Sequence, residues 1–176
     1  LTINIVDDVH LITGTNNGEV LTGGIYTDFI DAQGGNDTLF GGLGPDTLIG
    51  GQGSDSMTGG GGQDTFVWKS GDGFGTPTDT ITDFTKGVGG DVLNLSDLLS
   101  GESQTAQSLD AYLNISYNNT TKATTIAVDA DGGATFNVTQ NIVLAGVDLT
   151  SGGTLSTDQD ILTTMINNGN IKTDGG

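Results

Sequence analysis

An all-β chain is expected here, a parallel solenoid of flattened coils with a β-rich cap at its C-terminal end and one short terminal helix. A nine-residue pattern runs six times from Gly14 to Val67 without a slipped residue, its units beginning at Gly14, Gly23, Ala32, Gly41, Gly50 and Gly59. The sixth position of each unit is an acid: Glu19, Asp28, Asp37, Asp46, Asp55 and Asp64. The eighth is always large and apolar: Leu21, Ile30, Leu39, Leu48, Met57 and Phe66. A short fixed period means that each unit can bury its apolar side only against its neighbours, which is the logic of a solenoid.

Within a unit, glycine fills positions one, two and four in the last three copies, while the first copy keeps only its first Gly, its acid and its Leu. The Gly-rich half must turn sharply, using backbone angles that Gly adopts cheaply, and the remaining three residues suffice for a minimal strand. One unit is then half a coil, and two units of nine residues close one turn. That geometry stacks Asp28, Asp46 and Asp64 on one edge and Glu19, Asp37 and Asp55 on the other, with the eighth-position side chains pointing inward.

Stacked coils set carboxylates roughly 5 Å apart, where like charges repel by ~1 kcal/mol in water and by several times that near an apolar interior. A cation between them answers this. Hard oxygen donors in a chain with one His and no Cys select Ca²⁺, which takes about 6–8 oxygens in loose geometry. Backbone carbonyls complete such a shell. Successive carbonyls of an extended loop face opposite ways, so positions one and three serve an ion on one side and positions two and four an ion on the other. A flexible Gly-rich linker would have no reason to keep an apolar residue at position eight.

Residues 14–67, and above all "GGLGPDTLI" and "GGQGSDSMT", resemble the GGxGxDxUx repeats of RTX proteins, the calcium-bound parallel β-roll of bacterial type I secretion substrates. The resemblance implies a ligand set. Each ion takes carbonyls two and four plus the acid of one loop, and carbonyls one and three plus the acid one coil further on. Gly24, Tyr26 and Asp28 then face Gly41, Leu43 and Asp46; Gln33, Gly35 and Asp37 face Gly50, Gln52 and Asp55; Gly42, Gly44 and Asp46 face Gly59, Gly61 and Asp64. A fourth ion would sit between Thr15, Asn17, Glu19 and Ala32, Gly34, Asp37, in a loop without paired glycines. At the far end Gly60, Gly62 and Asp64 have no further repeat, and Asp72 with Asp79 resembles the family's closing pair; Gly51 and Gly53 are counted among the ligands as well.

The chain has 176 residues, 31 Gly, 20 Asp against 2 Glu, four Lys, no Arg and no Cys, for a formal charge of −18. Binding phosphate needs cationic side chains, so nucleic acid is excluded as a partner, no membrane insertion is expected, and the unit should be a monomer. The absence of Cys suits passage through a channel unfolded. "LTINIVDDVH" lacks a basic segment followed by an apolar run and so is not a secretory signal peptide. It reads as the cut edge of a longer protein, with "TINIV" a strand at the start of the roll. His10 falls at the acid's phase and Ile12 at the core phase of a worn seventh unit beginning near Ile5.

Val67 is the expected boundary between the roll (1–67) and a capping region (68–176). Trp68 and Phe74 should close the open end of the core. "DTITDF" reads as a strand with Ile81 on one face, followed by the strand "VLNL" and a helical turn capped by Ser96. This stretch is similar to the "DxIxDFxxGxDxLxLSxLL" segment that follows the roll in RTX exoproteins, matched by Asp79, Ile81, Asp83, Phe84, Asp91, Leu93, Leu95, Ser96 and Leu98, with "TKGVGG" as a longer loop. Beyond it come a short helix at "SLDAYL", strands at "LNISY" and "ATTIAVD", and an Asp-Gly hairpin through Asp129 and Asp131 into a strand "ATFNV". The strand "NIVLAGV" leads to an amphipathic helix over 158–167, with Thr157 as N-cap and Asn168-Gly169 as its stop.

A β-rich acidic cap with a terminal helix and polar tail resembles the uncleaved C-terminal secretion signal of large RTX adhesins. The resemblance implies a calcium-dependent folding and type I secretion module, secreted or held on the bacterial cell surface, whose partners are calcium and, during export, the secretion machinery. Secreted proteases and lipases carry the same repeats, but no HExxH and no GxSxG occurs here. The module is not expected to be an enzyme, and any catalytic domain would lie outside it. A surface- or glycan-binding module is the other alternative, with Asp129, Asp131 and the Asn-rich loops as the place to look.

Overall fold

The computed structural model describes residues 10–99, 105–132 and 135–173. The repeats give seven short strands: β1 (His10–Thr13), β2 (Val20–Thr22), β3 (Asp28–Asp31), β4 (Thr38–Leu43), β5 (Thr47–Ile49), β6 (Ser56–Gly61) and β7 (Thr65–Val67). After them come β8 (Thr78–Ile81), β9 (Val92–Asn94), helix α1 (Ala106–Leu109), β10 (Leu113–Asn118), β11 (Ala123–Val128), β12 (Gln140–Leu144), helix α2 (Asp158–Asn168) and β13 (Ile171–Lys172). Up to β9 the odd and even strands alternate between two sheets, one in the order β1-β3-β5-β7-β9-β13 and the other in the order β10-β11-β12-β8-β6-β4-β2. The chain crosses between the two sheets with every nine-residue unit, making an all-β parallel roll.

The period sets the register. Phe29 pairs with Thr47 and Thr47 with Thr65 in one sheet, while Val20 pairs with Thr38 and Thr38 with Ser56 in the other, each step being one coil of two units. Because register is constant, identical positions stack, and Ile30, Leu39, Leu48, Met57 and Phe66 are all fully buried between the sheets. Burying each such side chain contributes about 1.5–3 kcal/mol, which no single unit could obtain alone. His10 pairs with Asp28 and Ile12 with Ile30, so the worn unit does continue the stack. The expected strand "TINIV" lies outside the described residues.

Past Val67 the sequence period stops but the sheets do not. β8 pairs with β6 (Ser56 with Thr80) and β9 with β7 (Thr65 with Val92), both parallel, and β12 and β13 add further parallel strands. The intervening loops take up the extra residues. Trp68 is buried, being 1% exposed, but within a core that β8 and β9 extend rather than at its end, and Phe74 closes nothing, being 85% exposed. Phe84, whose ring centroid lies 6.4 Å from that of Phe66, carries the core onward instead.

Three local expectations in the cap are corrected. The turn after β9 is organised by Asn94, whose Oδ1 accepts from the Ser96 N–H and hydroxyl, rather than by Ser96 as a cap. The short helix comes earlier than "SLDAYL", at Ala106–Leu109, because Thr105 and Ser108 form a reciprocal capping box. The described part of "ATFNV" is not a strand. Instead Val128 pairs with Gln140, and the long connection is held by buried Asp129, whose Oδ2 accepts from the Asn137 N–H at 2.8 Å. Helix α2 follows the expectation closely, with Thr157 accepting from the Asp160 N–H and Gly169 in the left-handed conformation at its end.

Candidate metal sites

The last four turns of the roll use left-handed backbone conformations at positions two and four. At position four Gly35, Gly44, Gly53 and Gly62 have φ of 110°, 106°, 123° and 146°, and at position two Gly42, Gly51 and Gly60 have φ of 117°, 84° and 99°. These angles disfavour any Cβ, and stacking forbids one as well: a Cβ on Gly53 would run into the carbonyl oxygen of Gly35 one coil below. Gln33 occupies position two with φ 71°, the one unit where the pattern is kept without glycine.

The acids form two ladders. Asp28 N–H donates to Asp46 Oδ1 at 2.8 Å and Asp46 N–H to Asp64 Oδ1 at 2.9 Å on one edge; Glu19 N–H donates to Asp37 Oδ1 at 2.7 Å and Asp37 N–H to Asp55 Oδ1 at 2.8 Å on the other. Both expected columns are therefore present. Each hydrogen bond uses one carboxylate oxygen. The other, Oδ2 of Asp37, Asp46, Asp55 and Asp64, is buried with no hydrogen-bond partner, as is Oδ1 of Asp28. The residues themselves are only 1–2% exposed. A buried carboxylate oxygen without a partner is costly in water-excluded surroundings, and burial accordingly raises the pKa of Asp55 and of Asp64 to about 6, with neighbouring carboxylates adding to the shift.

Backbone oxygens converge on the same places. A Cβ on Gly41 would meet both Asp46 Oδ2 and, at 2.5 Å, the carbonyl oxygen of Gly59; a Cβ on Gly23 would meet Asp28 Oδ2 and the Gly41 carbonyl. The position-one carbonyl of one coil thus stands beside the acid of the coil below. Carbonyls at positions two and three also serve the stack. Gly24 accepts from Leu43 N–H at 2.8 Å, Gln33 from Gln52 N–H at 3.0 Å, Gln52 from Gly35 N–H at 2.8 Å and Gly61 from Gly44 N–H at 2.7 Å. Each carbonyl has a second lone pair to offer. Oxygen donors alone, orphaned carboxylate oxygens and cradles too narrow for a Cβ fit calcium. Among the described residues no three His, Cys, Asp or Glu side chains form a cage by themselves, so carbonyls would have to share the work.

The ends of the ladders lie beyond the repeats. Asp79 is the next rung above Asp55, whose N–H donates to Asp79 Oδ1 at 2.9 Å; Trp68 Nε1–H at 2.7 Å and Gln140 Nε2–H at 2.9 Å donate to its Oδ2. Burial raises its pKa to about 7 against these bonds. Asp72 lies near enough for its charge to act on both Asp55 and Asp79, and its Oδ2 accepts from Lys69 N–H at 2.6 Å. The other ladder ends in Asp91, whose Oδ1 accepts from Asp64 N–H at 2.9 Å. Asp91 was absent from the expected ligands although its motif was visible, because the long "TKGVGG" loop places it 27 residues after Asp64 instead of one coil of two units. His10, at the opposite end, has Nδ1 3.5 Å from Asp28 Oδ1.

Comparison with known proteins agrees with this geometry. The family described as the RTX calcium-binding nonapeptide repeat (4 copies) matches residues 13–48, 32–66 and 43–74. Among solved structures, the AlgE6R2 subunit of the mannuronan C5-epimerase from Azotobacter vinelandii is similar at 27% identity and a TM-score of 0.56, covering 93% of this chain and 92% of that one. The AlgE6R3 subunit of the same enzyme is similar at 28% identity and a TM-score of 0.54, covering 75% and 73%. No curated protein sequence matches the chain. The constant register, the paired acid ladders and the family match together make residues 13–74 RTX calcium-binding nonapeptide repeats, folded as a parallel β-roll.

Proposed function

We propose that the chain is a calcium-dependent folding and export module from the C-terminal part of a large secreted or surface-held bacterial adhesin, that it catalyses nothing, and that Val67 divides its calcium-binding roll from its secretion signal. The observation that carries the calcium part is the set of five buried carboxylate oxygens without hydrogen-bond partners, one from each repeat between Asp28 and Asp64. The roll is expensive to fold without a counter-charge, so binding free energy becomes folding free energy. Calcium, when bound, supplies that positive charge between stacked acids. In calcium-poor cytosol the chain stays unfolded enough to be exported, and it folds where calcium is plentiful. The proposed ligands are those named above for Asp28, Asp37, Asp46, Asp55 and Asp64 and their carbonyl partners.

Circular dichroism tests this part. In EGTA the β-signal should be largely lost and millimolar Ca²⁺ should restore it, with Mg²⁺ a poor substitute because it demands tighter octahedral geometry. A spectrum indifferent to chelator after low-pH stripping overturns the mechanism. Export is supported by the terminal helix α2 and the tail that follows it, and is tested by passing the chain through a type I system with and without residues 155–176. Normal export of the truncated chain would place the signal elsewhere. Among the described residues no helix is long and apolar enough to cross a membrane.

The similarity to epimerase subunits over nine-tenths of both chains favours one second reading, a calcium-bound accessory module of a secreted enzyme. Affinity electrophoresis in mannuronan separates the two. Retardation of the calcium-loaded chain would favour the accessory module, and unaltered mobility the adhesin terminus.

A further inference from the structure

We propose a divalent-cation site beyond the last repeat, formed by Asp64 and Asp83 at the end of the coil stack where the nine-residue period has already stopped. It rests on the calcium reading of the repeats. In the interior, each cradle pairs the Oδ2 of an acid with the position-one carbonyl of the coil above, both crowding the Cβ position of a position-one glycine: Asp46 with the Gly59 carbonyl at Gly41, and Asp28 with the Gly41 carbonyl at Gly23. Gly59 belongs to the last unit, so no repeat stands above it to supply that carbonyl. Asp64 Oδ2 nevertheless crowds the Cβ position of Gly59 as Asp46 Oδ2 does at Gly41.

A carboxylate from beyond the repeats caps the same turn, at the place where Gly23 N–H in the interior donates to the Phe40 carbonyl. Asp83 lays its carboxylate on the same turn, accepting from Gly59 N–H at 3.0 Å and from Gly60 N–H at 2.8 Å. Asp64 is 1% exposed and its Oδ2 has no hydrogen-bond partner, so a buried anionic oxygen points into the space beside Gly59 with nothing to neutralise it.

The approach to the site is held in place. Asp91 accepts from Asp64 N–H with Oδ1 and from Thr85 N–H at 2.7 Å with Oδ2, and Gln63 Nε2–H donates to the Gly90 carbonyl at 2.8 Å. These bonds fold the 83–91 loop over the last repeat. Asp91 is thus a positioning residue and Asp83 the ligand. A second carboxylate on the turn that holds Asp64 Oδ2 adds a full negative charge beside it, which suits a hard divalent ion.

Native mass spectrometry of the full chain at saturating Ca²⁺ counts the ions, with Asp83→Asn compared against wild type and against Asp46→Asn as an interior control. Asp83→Asn should bind one ion fewer than wild type. Anomalous diffraction from calcium-grown crystals of the wild type should show a peak between Asp64 and Asp83, and this measurement decides the matter if the variant does not fold. Interior peaks with none beside Gly59, or an unchanged ion count in a folded Asp83→Asn, overturn this site while leaving the repeats' calcium reading intact. No bound ion anywhere overturns both.

Discussion

The repeats and the cap treat buried polar groups in opposite ways. In the cap, Asp129 is fully buried yet supplied with donors, including Asn137 N–H, and hydrogen bonds hold its pKa below the ordinary value against the effect of burial. Buried Asn170 donates to the Gly87 and Asp91 carbonyls and accepts from Gly87 N–H, while Thr124 donates to the Val147 carbonyl. In the repeats, the sixth-position acids Asp28, Asp37, Asp46, Asp55 and Asp64 each keep a buried oxygen with no hydrogen-bond partner. One region satisfies most of its polar groups by itself, and the other is completed by a ligand. A switch needs an element whose stability depends on what binds it, and here that element is the roll.

The largest effect that tests this contrast is calcium withdrawal followed amide by amide. As free calcium falls, hydrogen exchange should lose protection first over β3–β7 and only later over β10–β12, whose antiparallel pairing of Leu113 with Val128 and Thr124 with Leu144 needs no ion. Simultaneous loss in both regions would show that the cap's stability is borrowed entirely from the roll. Next in size is Gly53→Ala. At φ 123° and against the Gly35 carbonyl of the coil below, alanine should cost on the order of 3 kcal/mol and raise the calcium midpoint by more than tenfold. In the cap, Gly146→Ala, at φ 73° but with no atom within 4 Å of its new Cβ, should strain its own turn by about 1–2 kcal/mol and leave that midpoint where it was.

Acidity should act on the two regions with opposite sign in the absence of calcium. Asp55 and Asp64 titrate near 6 and Asp79 near 7 in the folded chain, against 3.8 ordinarily, chiefly because burial disfavours their charge. Their folded state holds protons more tightly than the unfolded one. The metal-free roll therefore gains stability that is complete below about pH 3.8 and is lost as pH rises through 6 to 7. Asp129 has the reverse shift, so its contribution is present above 3.8 and fades below it. In EGTA, β-structure should increase as pH falls from 7.5 toward 4.5, while with calcium present the midpoint should rise over the same range because protons compete for the ligand oxygens. No change in the chelated spectrum with pH would mean the acids are not buried as a ladder.

The contrast also explains what could be read from the chain. Eighteen-residue coils, the inward side chains from Ile30 to Phe66 and both acid columns were legible, because the period over-determines the register. In the cap no period exists, and single contacts decide. Thr105 and Ser108 moved a helix, Asp129 replaced a strand by a held loop, and the extension of the core by β8 and β9 left Phe74 with nothing to cover. The two residues of β13, parallel to Leu93–Asn94, carry no pattern at all; Asn170 places them by bonding to Gly87 and Asp91. The closing acids sat between these cases, visible as a motif but displaced by a loop.

The smallest expected effect separates the two regions most sharply. Gln33 and Lys122 are both non-glycine residues in the left-handed region, at φ 71° and 57°, one in a repeat turn and one in the turn between β10 and β11. Such a residue costs about 1–2 kcal/mol relative to glycine in that conformation, and replacing it with glycine returns roughly 0.4–1 kcal/mol to the unfolded chain's entropy. Each change to glycine should therefore stabilise its own turn by about 0.5–1 kcal/mol. Only in the repeat is folding coupled to the ion, since the Gln33 carbonyl accepts from Gln52 N–H and stands at position two of a proposed site. Gln33→Gly should lower the calcium midpoint of folding measurably, as read by the fluorescence of the single Trp68, and Lys122→Gly should leave it unchanged while slowing exchange in β10 and β11. An equal shift from both would mean that roll and cap fold as one calcium-coupled unit, and that their different treatment of buried carboxylates has no consequence for how the chain assembles.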